Sequence, residues 1–263
     1  MGVKDTAADR VAETPRPPRA VLWHDLECGS YAADLPLWRE LAALAGTGAR
    51  SEPVLDIGAG TGRVALDLAR RGHRVTAVER DGELLEALGS RSEALAVELA
   101  LADAREFELD RRDFAVCLMP MQTIQLLGGA PGRAAFFARA RAHLRSGGLL
   151  ACAIVTEIEP FDCTAGDLGP LPEIASAGGV NYISRAVRVS AGRRSLRIER
   201  QRSVHAPGDP AAGAPEREVV ELDRVSAAQL EQEGRAAGLS AAGTRAIAAT
   251  SEHSGSIVVM FHA

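Results

Sequence analysis

The chain has 263 residues, a formal net charge of −5 and 46% hydrophobic residues, so it can bury a sizeable core. The negative charge argues against a general nucleic-acid binder held by phosphate contacts, and no apolar run approaches the ~20 residues of a membrane span. The N-terminus lacks the apolar region of a signal peptide, and we expect a cytoplasmic protein. Because Cys28, Cys117, Cys152 and Cys163 have neither C-x-x-C nor zinc-site spacing, we expect reduced thiols and no metal.

The first part of the chain alternates strand and helix signals. Residues 1–19 are polar and proline-rich and are predicted to form a mobile tail. Residues 20–52, with the helical pattern LPLWRELAAL, are predicted to form lid helices. Residues 53–159 alternate strands with helices, which predicts crossover connections and a parallel sheet. The segments concerned are PVLDIG, RVALDLARRG, HRVTAVE, GELLEALGSRS, AVELALADA, DFAVCLMP, GRAAFFARARAHLRSGG and LLACAIVTEIE.

The pattern changes after Glu159. Residues 160–225 are predicted to hold an irregular segment rich in glycine and proline and then an antiparallel meander. Its three strands are YISRAVRVS, SLRIERQRSVH and EVVELDRVS, with a mobile loop, APGDPAAGAPER, before the third. Residues 226–263 are predicted to add a helix that starts at Ser226 and a hairpin formed by TRAIAATS and SGSIVVMFHA.

The stretch VLDIGAGTGRVALDLARRGHRVTAVE carries the clearest functional signal. A strand leads into Gly58, Gly60 and Gly62, and a helix and a second strand that ends at Glu79 follow. Glycines permit positive φ and close approach of a ligand, and the helix N-terminus offers free N–H groups to an anion. A dinucleotide loop has the pattern G-x-G-x-x-G, but here the third glycine comes one residue early. Glu79 can accept hydrogen bonds from both hydroxyls of a ribose and would repel a 2′-phosphate.

A third element, ALADAREFEL, places Asp103 just after a strand, where it can accept from an amine such as adenine N6. The loop, the ribose acid and the adenine acid, in this order, resemble the class I S-adenosylmethionine-dependent methyltransferases that act on small molecules. Their first motif is D/E-x-G-x-G-x-G, and the resemblance covers roughly residues 54–159. It implies an α/β, Rossmann-like, mostly parallel seven-stranded sheet with helices on both faces. It also implies that the small antiparallel meander lies over the acceptor site.

The resemblance implies S-adenosylmethionine as cofactor and S-adenosylhomocysteine as product. Asp56 would brace the loop and the cofactor's amino group, and Glu79 would hold the ribose. The segment from Met119 to Gln122 would run past the sulfonium. The residues predicted to bind the cofactor are Tyr31, Asp56, Gly58, Ala59, Gly60, Glu79, Arg80, Asp103, Ala104 and Met119.

The implied reaction is an in-line displacement at carbon, in which much of the catalysis is positioning. A base is needed only when the acceptor must lose a proton. The candidate catalytic residues are His24 and Tyr31, in the lid segment WHDLECGSY, and Glu157, after the fifth strand. Tyr31 is expected to touch the cofactor or the acceptor. His205 and His253 are weaker candidates, and no acceptor-specific motif accompanies them.

The meander is rich in arginine and also offers Glu216, Glu218 and Glu221. Cross-strand ion pairs on a solvated face explain most of this charge. The alternative is that one or two of the arginines bind an anionic acceptor. The arginines are Arg185, Arg188, Arg193, Arg194, Arg197, Arg200 and Arg202.

Three functions therefore remain open at the level of the sequence. The first is a methyltransferase that acts on an oxygen, nitrogen or carbon atom of a small molecule. The second is an NAD-dependent oxidoreductase, against which the early third glycine and Asp103 argue. The third is a non-catalytic protein that binds S-adenosylmethionine. We expect no nucleic-acid or membrane partner and either a monomer or a homodimer.

Overall fold

The computed structural model describes residues 17–45, 52–166, 168–206, 215–250 and 253–263. Most of the predicted N-terminal tail and of the predicted loop at 206–217 lies outside the described residues. In chain order the elements are α1 (Arg19–Cys28), α2 (Leu35–Ala45), β1 (Pro53–Ile57), α3 (Arg63–Arg70), β2 (Arg74–Glu79), α4 (Gly82–Ser92), β3 (Val97–Leu101), β4 (Phe114–Met119), a 3-10 turn (Thr123–Leu126), α5 (Gly129–His143), β5 (Leu144–Ile154), β6 (Phe161–Asp162), β7 (Glu173–Ala177), β8 (Val180–Ala191), β9 (Ser195–His205), β10 (Glu216–Asp223), α6 (Ala227–Ala236), β11 (Ser240–Ile247) and β12 (Ser256–His262).

The centre of the fold is a seven-stranded sheet of order β11-β12-β5-β4-β1-β2-β3. The strands β1 to β5 pair in parallel, and β12 runs antiparallel to both of its neighbours. The continuous apolar runs of β1 and β4 are fully buried because helices cover both faces of a parallel sheet. The predicted α/β fold with a mostly parallel seven-stranded sheet is confirmed.

Helices cover the two faces of this sheet in two separate hydrophobic clusters. Trp38 of α2 and Leu68 of α3 pack with Val54 on one face. Phe137 of α5 and Leu230 of α6 pack with the strands on the other face. Because these strands are parallel, their carboxyl ends meet at one edge of the sheet.

A second, antiparallel sheet of five strands follows the core, and we call it the cap. Its order is β10-β9-β8-β6, and β7 also pairs with β8. The three strands predicted for the meander are present as β8, β9 and β10. The prediction of an irregular segment before them was partly wrong, because β6 and β7 form within it. Both are short and lack a long apolar alternation, and their register is set by pairing with β8.

Two boundaries differ from the sequence prediction. The helix predicted to run to Gly148 ends at His143, because Leu144 is extended and pairs with Phe114 at the start of β5. The strand predicted as TRAIAATS begins four residues earlier, at Ser240, and ends at Ile247 after an irregularity in its pairing with β12. Pairing partners distant in sequence decide both ends, and local composition does not reveal them.

All four cysteines are free, and Cys117 and Cys152 are fully buried in adjacent strands. Burial raises the pKa of both thiols. Within the described ranges, no group of three or more His, Cys, Asp or Glu residues is arranged to hold a metal ion. No helix in those ranges is both long and apolar enough to cross a membrane.

Candidate cofactor and acceptor site

The glycine loop, Gly58–Gly62, joins β1 to α3 at the carboxyl edge of the sheet. Gly58 and Gly60 have φ of 70° and 56°, a region that side chains disfavour. A Cβ at Gly58 would lie 2.6 Å from Cγ2 of Thr123, and one at Gly60 would lie 2.3 Å from Nε2 of His24. Glycine is therefore required at both positions by the protein's own packing, before any ligand is considered.

Glu79 at the end of β2 is bound to this loop. Its Oε2 accepts from the backbone N–H of Gly60 at 2.9 Å, and its Oε1 accepts from those of Arg80 and Asp81 at 2.8 and 3.0 Å. The side chain is only 8% exposed. A carboxylate has about four acceptor sites, so a ribose diol would share Glu79 with these backbone donors.

Asp56 is the second carboxylate at the loop, two residues before Gly58. It is 1% exposed, and neither of its oxygens has a hydrogen bond of good geometry, although the backbone N–H of Ala65 is close enough to lower its pKa. Burial raises its pKa to about 7, against the lowering effect of Arg63. A buried carboxylate without a well-formed hydrogen bond is costly, and a ligand group that donates to Asp56 would offset that cost.

Asp56 and Glu79 together decide which kind of ligand fits the loop. Two carboxylates favour a ligand that brings an ammonium group and ribose hydroxyls. Glu79 suits the ribose of either cofactor, whereas the Asp56 carboxylate beside the loop disfavours a pyrophosphate, because like charges would lie close together. The residues present therefore fit S-adenosylmethionine, and they fit NAD poorly.

Asp103 lies two residues beyond the end of β3, at the same edge. Its carboxylate accepts from Nε and Nη2 of Arg105 at 2.8 and 2.7 Å, and this bonding lowers its pKa to about 2. Arg80 is close enough to contribute to that lowering. Ala104 packs against the hydrophobic cluster of α5 and α6. An adenine amine at Asp103 would have to share its carboxylate with Arg105.

The turn after β4 holds a feature that sequence reasoning missed. Met119 is 0% exposed, so its side chain belongs to the core. Met121 has φ 55°, and it is the single non-glycine residue with positive φ among the residues described. Strained backbone of this kind concentrates at functional edges. The positive φ could not be predicted, because methionine has no preference for this conformation.

Gln125, in the 3-10 turn, has a structural role. Its Nε2 donates to the carbonyls of Val155 at 3.0 Å and Asp223 at 2.8 Å, and its Oε1 accepts from the Val155 N–H at 2.8 Å. The side chain is 1% exposed. Gln125 thus ties the turn after β4 to the ends of β5 and β10.

We expect Gln125→Leu to lower the free energy of unfolding by about 3 kcal/mol, because it leaves three buried backbone groups without a partner. Chemical denaturation measures this loss. Gln122→Leu, in a partly exposed position three residues earlier, is the matched control and should change stability by less than about 1 kcal/mol. Equal effects of the two substitutions would contradict the bracing role of Gln125.

The helix α1, which we call the lid helix, lies on the glycine loop. The Thr61 hydroxyl donates to Oδ1 of Asp25 at 2.6 Å, and Nδ1 of His24 lies 3.2 Å from the same hydroxyl oxygen. Asp25 also forms an ion pair at 2.5 Å with Arg91 of α4. Burial lowers the pKa of His24, although Asp25 and Glu79 oppose this effect. The predicted lid segment is thereby fastened to both the loop and α4.

Tyr31 follows the lid helix and faces a different part of the edge. Its side chain lies beside that of Ser256, and its ring centroid lies 4.7 Å from that of His253. The Arg63 guanidinium lies 5.2 Å from the Tyr31 ring centroid. Burial raises the tyrosine pKa. Tyr31 therefore packs against the β11–β12 hairpin, beside the carboxyl end of β5.

Asp34 anchors the segment between the lid helix and α2. It is 1% exposed and accepts from both terminal nitrogens of Arg63, at 2.5 and 2.8 Å, and from Nε1 of Trp38 at 2.7 Å. Arg63 is the first residue of α3, directly after the glycine loop. This buried pair therefore fixes the N-terminal segment to the end of the loop.

The remaining predicted residues are not gathered at the loop. Glu157 is exposed, three residues beyond the end of β5. His205 lies at the end of β9 in the cap, with Nε2 3.1 Å from the hydroxyl of Ser203. Of these two, only Glu157 is close in sequence to a carboxyl end of the central sheet.

The arginines of the cap are largely paired with carboxylates. On the side facing the lid helix, Glu27 pairs with Arg202 at 2.7 Å and with Arg200 at 3.3 Å, and it accepts from Ser184 at 2.7 Å. Although burial opposes it, hydrogen bonding by Arg202 and Ser184 lowers the pKa of Glu27. Sequence reasoning missed this residue.

The other side of the cap has a similar arrangement around one acid. Glu199 is 0% exposed, and the arginines around it cover it with their side chains. Its partners are Arg188, Arg197 and Arg217. Ion pairs within the cap and with the lid helix thus account for four of the seven predicted arginines, Arg188, Arg197, Arg200 and Arg202.

Part of the chain matches a known protein family. Residues 54–148 match the family model described as a methyltransferase domain. A comparison with curated proteins finds no matching sequence. The matched segment contains the glycine loop, Glu79 and Asp103.

Solved structures of methyltransferases share the fold over most of the chain. The sugar N-methyltransferase KedS8 from a Streptoalloteichus species is 17% identical, with TM-score 0.69, covering 100% of this chain and 98% of that one. CalS10 with S-adenosylmethionine bound, an amino pentose methyltransferase from Micromonospora echinaspora, is 19% identical, with TM-score 0.67 and coverages of 95% and 100%. The glycopeptide N-methyltransferase MtfA, complexed with S-adenosylmethionine, is 20% identical, with TM-score 0.58 and coverages of 86% and 86%.

The fold and the matched domain define the class of protein. Residues 54–148 form a methyltransferase domain, and the chain has the fold of the class I S-adenosylmethionine-dependent methyltransferases. The class of enzyme predicted from the sequence is confirmed.

Proposed function

We propose that this enzyme transfers a methyl group from S-adenosylmethionine to a small-molecule acceptor. The observation that carries the proposal is the pair of buried carboxylates, Asp56 and Glu79, on the glycine loop of a methyltransferase domain. When bound, the cofactor supplies a methyl group on a sulfonium that carries its own leaving group. The work of the chain is therefore to hold and orient two ligands.

Each residue at the edge has a proposed part in that work. Asp56 accepts from the amino group of the cofactor, and Glu79 accepts from its ribose hydroxyls. Asp103 and Arg80 border the adenine. The unusual backbone at Met121 shapes the passage between cofactor and acceptor, at the end of β4.

The acceptor site is proposed to lie between the carboxyl end of β5, the Tyr31 side chain and the cap. Glu157 is exposed there and is the proposed base for an acceptor that must lose a proton. Amines are the first acceptor class to test, because the similar structures include a sugar N-methyltransferase and an amino pentose methyltransferase. An anionic acceptor has weaker support, since carboxylates already occupy most of the cap arginines.

Calorimetric titration with S-adenosylmethionine, S-adenosylhomocysteine and NAD tests the proposal directly. We expect micromolar binding of the first two ligands and no binding of NAD. Binding of NAD alone would contradict the proposal and favour an oxidoreductase. A screen of amino sugars against their hydroxyl counterparts, with S-adenosylhomocysteine release as readout, then tests the acceptor class. Methylation of the hydroxyl compounds alone would exclude an amine acceptor.

The raised pKa of Asp56 predicts a pH-dependent affinity. With a pKa of about 7, Asp56 is mostly protonated at pH 6 and mostly ionised at pH 8. An ammonium ligand prefers the ionised form, so the affinity for S-adenosylhomocysteine should rise about tenfold over this range. Burial is the largest cause of this raised pKa; Arg63 opposes it, and Glu79 and Asp34 add to it. Asp56→Asn should bind S-adenosylhomocysteine more weakly, and its affinity should no longer depend on pH. If the affinity of this variant still rose with pH as in the unsubstituted enzyme, a group other than Asp56 would cause the pH dependence.

A further inference from the structure

The hydrogen bonds of the lid helix determine which nitrogen of His24 carries its proton. The Thr61 hydroxyl has one hydrogen, and at 2.6 Å it donates that hydrogen to the carboxylate of Asp25. Asp25 is paired with Arg91 and is acceptor-only. The 3.2 Å contact between Nδ1 of His24 and the Thr61 oxygen must therefore use a hydrogen on Nδ1. In a neutral imidazole this leaves Nε2 as an acceptor.

Nε2 of His24 is directed at the glycine loop. It is the atom nearest to the position that a Cβ of Gly60 would take, at 2.3 Å, with Cε1 of the same ring at 2.4 Å. The structure shows no hydrogen bond from Nε2 to any residue that it describes. His24 therefore places a nitrogen lone pair at the rim of the loop without using it within the protein.

The surroundings of this nitrogen favour a cationic ligand group. Asp56 precedes the loop on β1, and Glu79, whose charge acts on both His24 and Asp56, accepts from the Gly60 N–H. Two carboxylates and one imidazole nitrogen thus belong to residues that contact or adjoin one short loop. A free carboxylate of a ligand would meet like charges there, whereas an ammonium would find acceptors.

We propose that His24 is a positioning residue that accepts a hydrogen bond from the amino group of the cofactor's amino-acid end. The inference rests on the proposed function, since it concerns the same cofactor. It assigns the lid helix a direct contact with the ligand in addition to its packing on the loop. Thr61 and Asp25 act through His24, because they hold its ring in the form that leaves Nε2 free to accept.

The affinities of three ligands can distinguish a direct contact between His24 and the amino group from a general effect of the lid helix on binding. They are S-adenosylhomocysteine, its decarboxylated analogue, which keeps the amine, and its deaminated analogue, which keeps the carboxylate. His24→Asn can keep the donor to Thr61 through its amide and removes the Nε2 acceptor. We expect this variant to bind the first two ligands about tenfold more weakly and the deaminated one within twofold of the unsubstituted enzyme.

Two further variants complete the calorimetric test. His24→Gln can present an amide oxygen near the Nε2 position and should restore most of the lost affinity. Asp25→Ala loosens the lid helix and also frees the Thr61 hydroxyl to donate to Nδ1 of His24, which would move the imidazole proton to Nε2. It should therefore weaken all three ligands, and the two that carry the amine most. If His24→Asn lost affinity equally for the three ligands, His24 would only pack on the loop. If it lost affinity only for the two ligands that carry a carboxylate, His24 would contact the carboxylate and not the amino group. If the unsubstituted enzyme binds none of the three ligands, the proposed function itself fails.

Discussion

Glu79→Ala should weaken the binding of S-adenosylmethionine at least about a hundredfold. The substitution removes the proposed ribose acceptor, and it also removes the partner of three backbone N–H groups, including that of Gly60. Hydrogen bonds to a charged group are each worth about 1.5–3 kcal/mol. The loss therefore combines a missing ligand contact with a loop that is no longer held. Calorimetric titration measures the affinity.

Glu86→Ala is the matched control for this variant. Glu86 lies exposed on α4, so its removal changes the net charge equally without touching the loop. Its affinity for the cofactor should stay within twofold of the unsubstituted enzyme. Asp103→Ala should have an intermediate effect of about tenfold, because Arg105 already shares that carboxylate. If Glu79→Ala bound the cofactor with unchanged affinity, Glu79 would not be part of the cofactor site.

Asp34→Ala should lower the free energy of unfolding by about 4 kcal/mol. The carboxylate is buried and has three donors, two from Arg63 and one from Trp38. Removing one partner of a buried ion pair leaves the other charge uncompensated, which typically costs about 3–5 kcal/mol. Since Arg63 begins α3, the loss should also loosen the glycine loop. Urea denaturation measures the change in stability.

The control for Asp34 is a second aspartate with a two-nitrogen contact to an arginine. Asp67 accepts from Nε and Nη2 of Arg39 at 2.8 and 2.7 Å, but the arginine side chain is 34% exposed. Exposed ion pairs contribute about 1 kcal/mol or less, so Asp67→Ala should be only mildly destabilising. If both variants lose the same stability, burial does not explain the importance of Asp34.

The sequence was sufficient to predict the central sheet, because the apolar runs of β1 and β4 and the helical spacing between strands are local signals. It was less informative where pairing decides the structure. Neither β6 nor β7 has a sequence pattern that predicts a strand. The end of α5 at His143 depends on Leu144, which pairs with Phe114 in the sheet. A single sequence carries no direct record of such distant partners.

The candidate site likewise contains residues that the sequence predicted and residues that it did not. Spacing alone identified Gly60 and Glu79, and the structure joins them by a direct hydrogen bond. The buried contacts of Asp34 and Glu27 could not be predicted, because an acid within or next to a helix is expected to be solvated until its arginine partner is located. Their partners lie 29 and 175 residues further along the chain.

The attachment of the lid helix to the cap has a consequence for protein engineering. Glu27 joins the helix to Arg200 and Arg202, while the Trp23 ring packs edge-on against Tyr182. A chimera that receives a foreign cap but keeps its own lid helix would bury charges without partners. The two segments should therefore be exchanged together, as a single cassette, when acceptor preference is to be transplanted between enzymes of this fold.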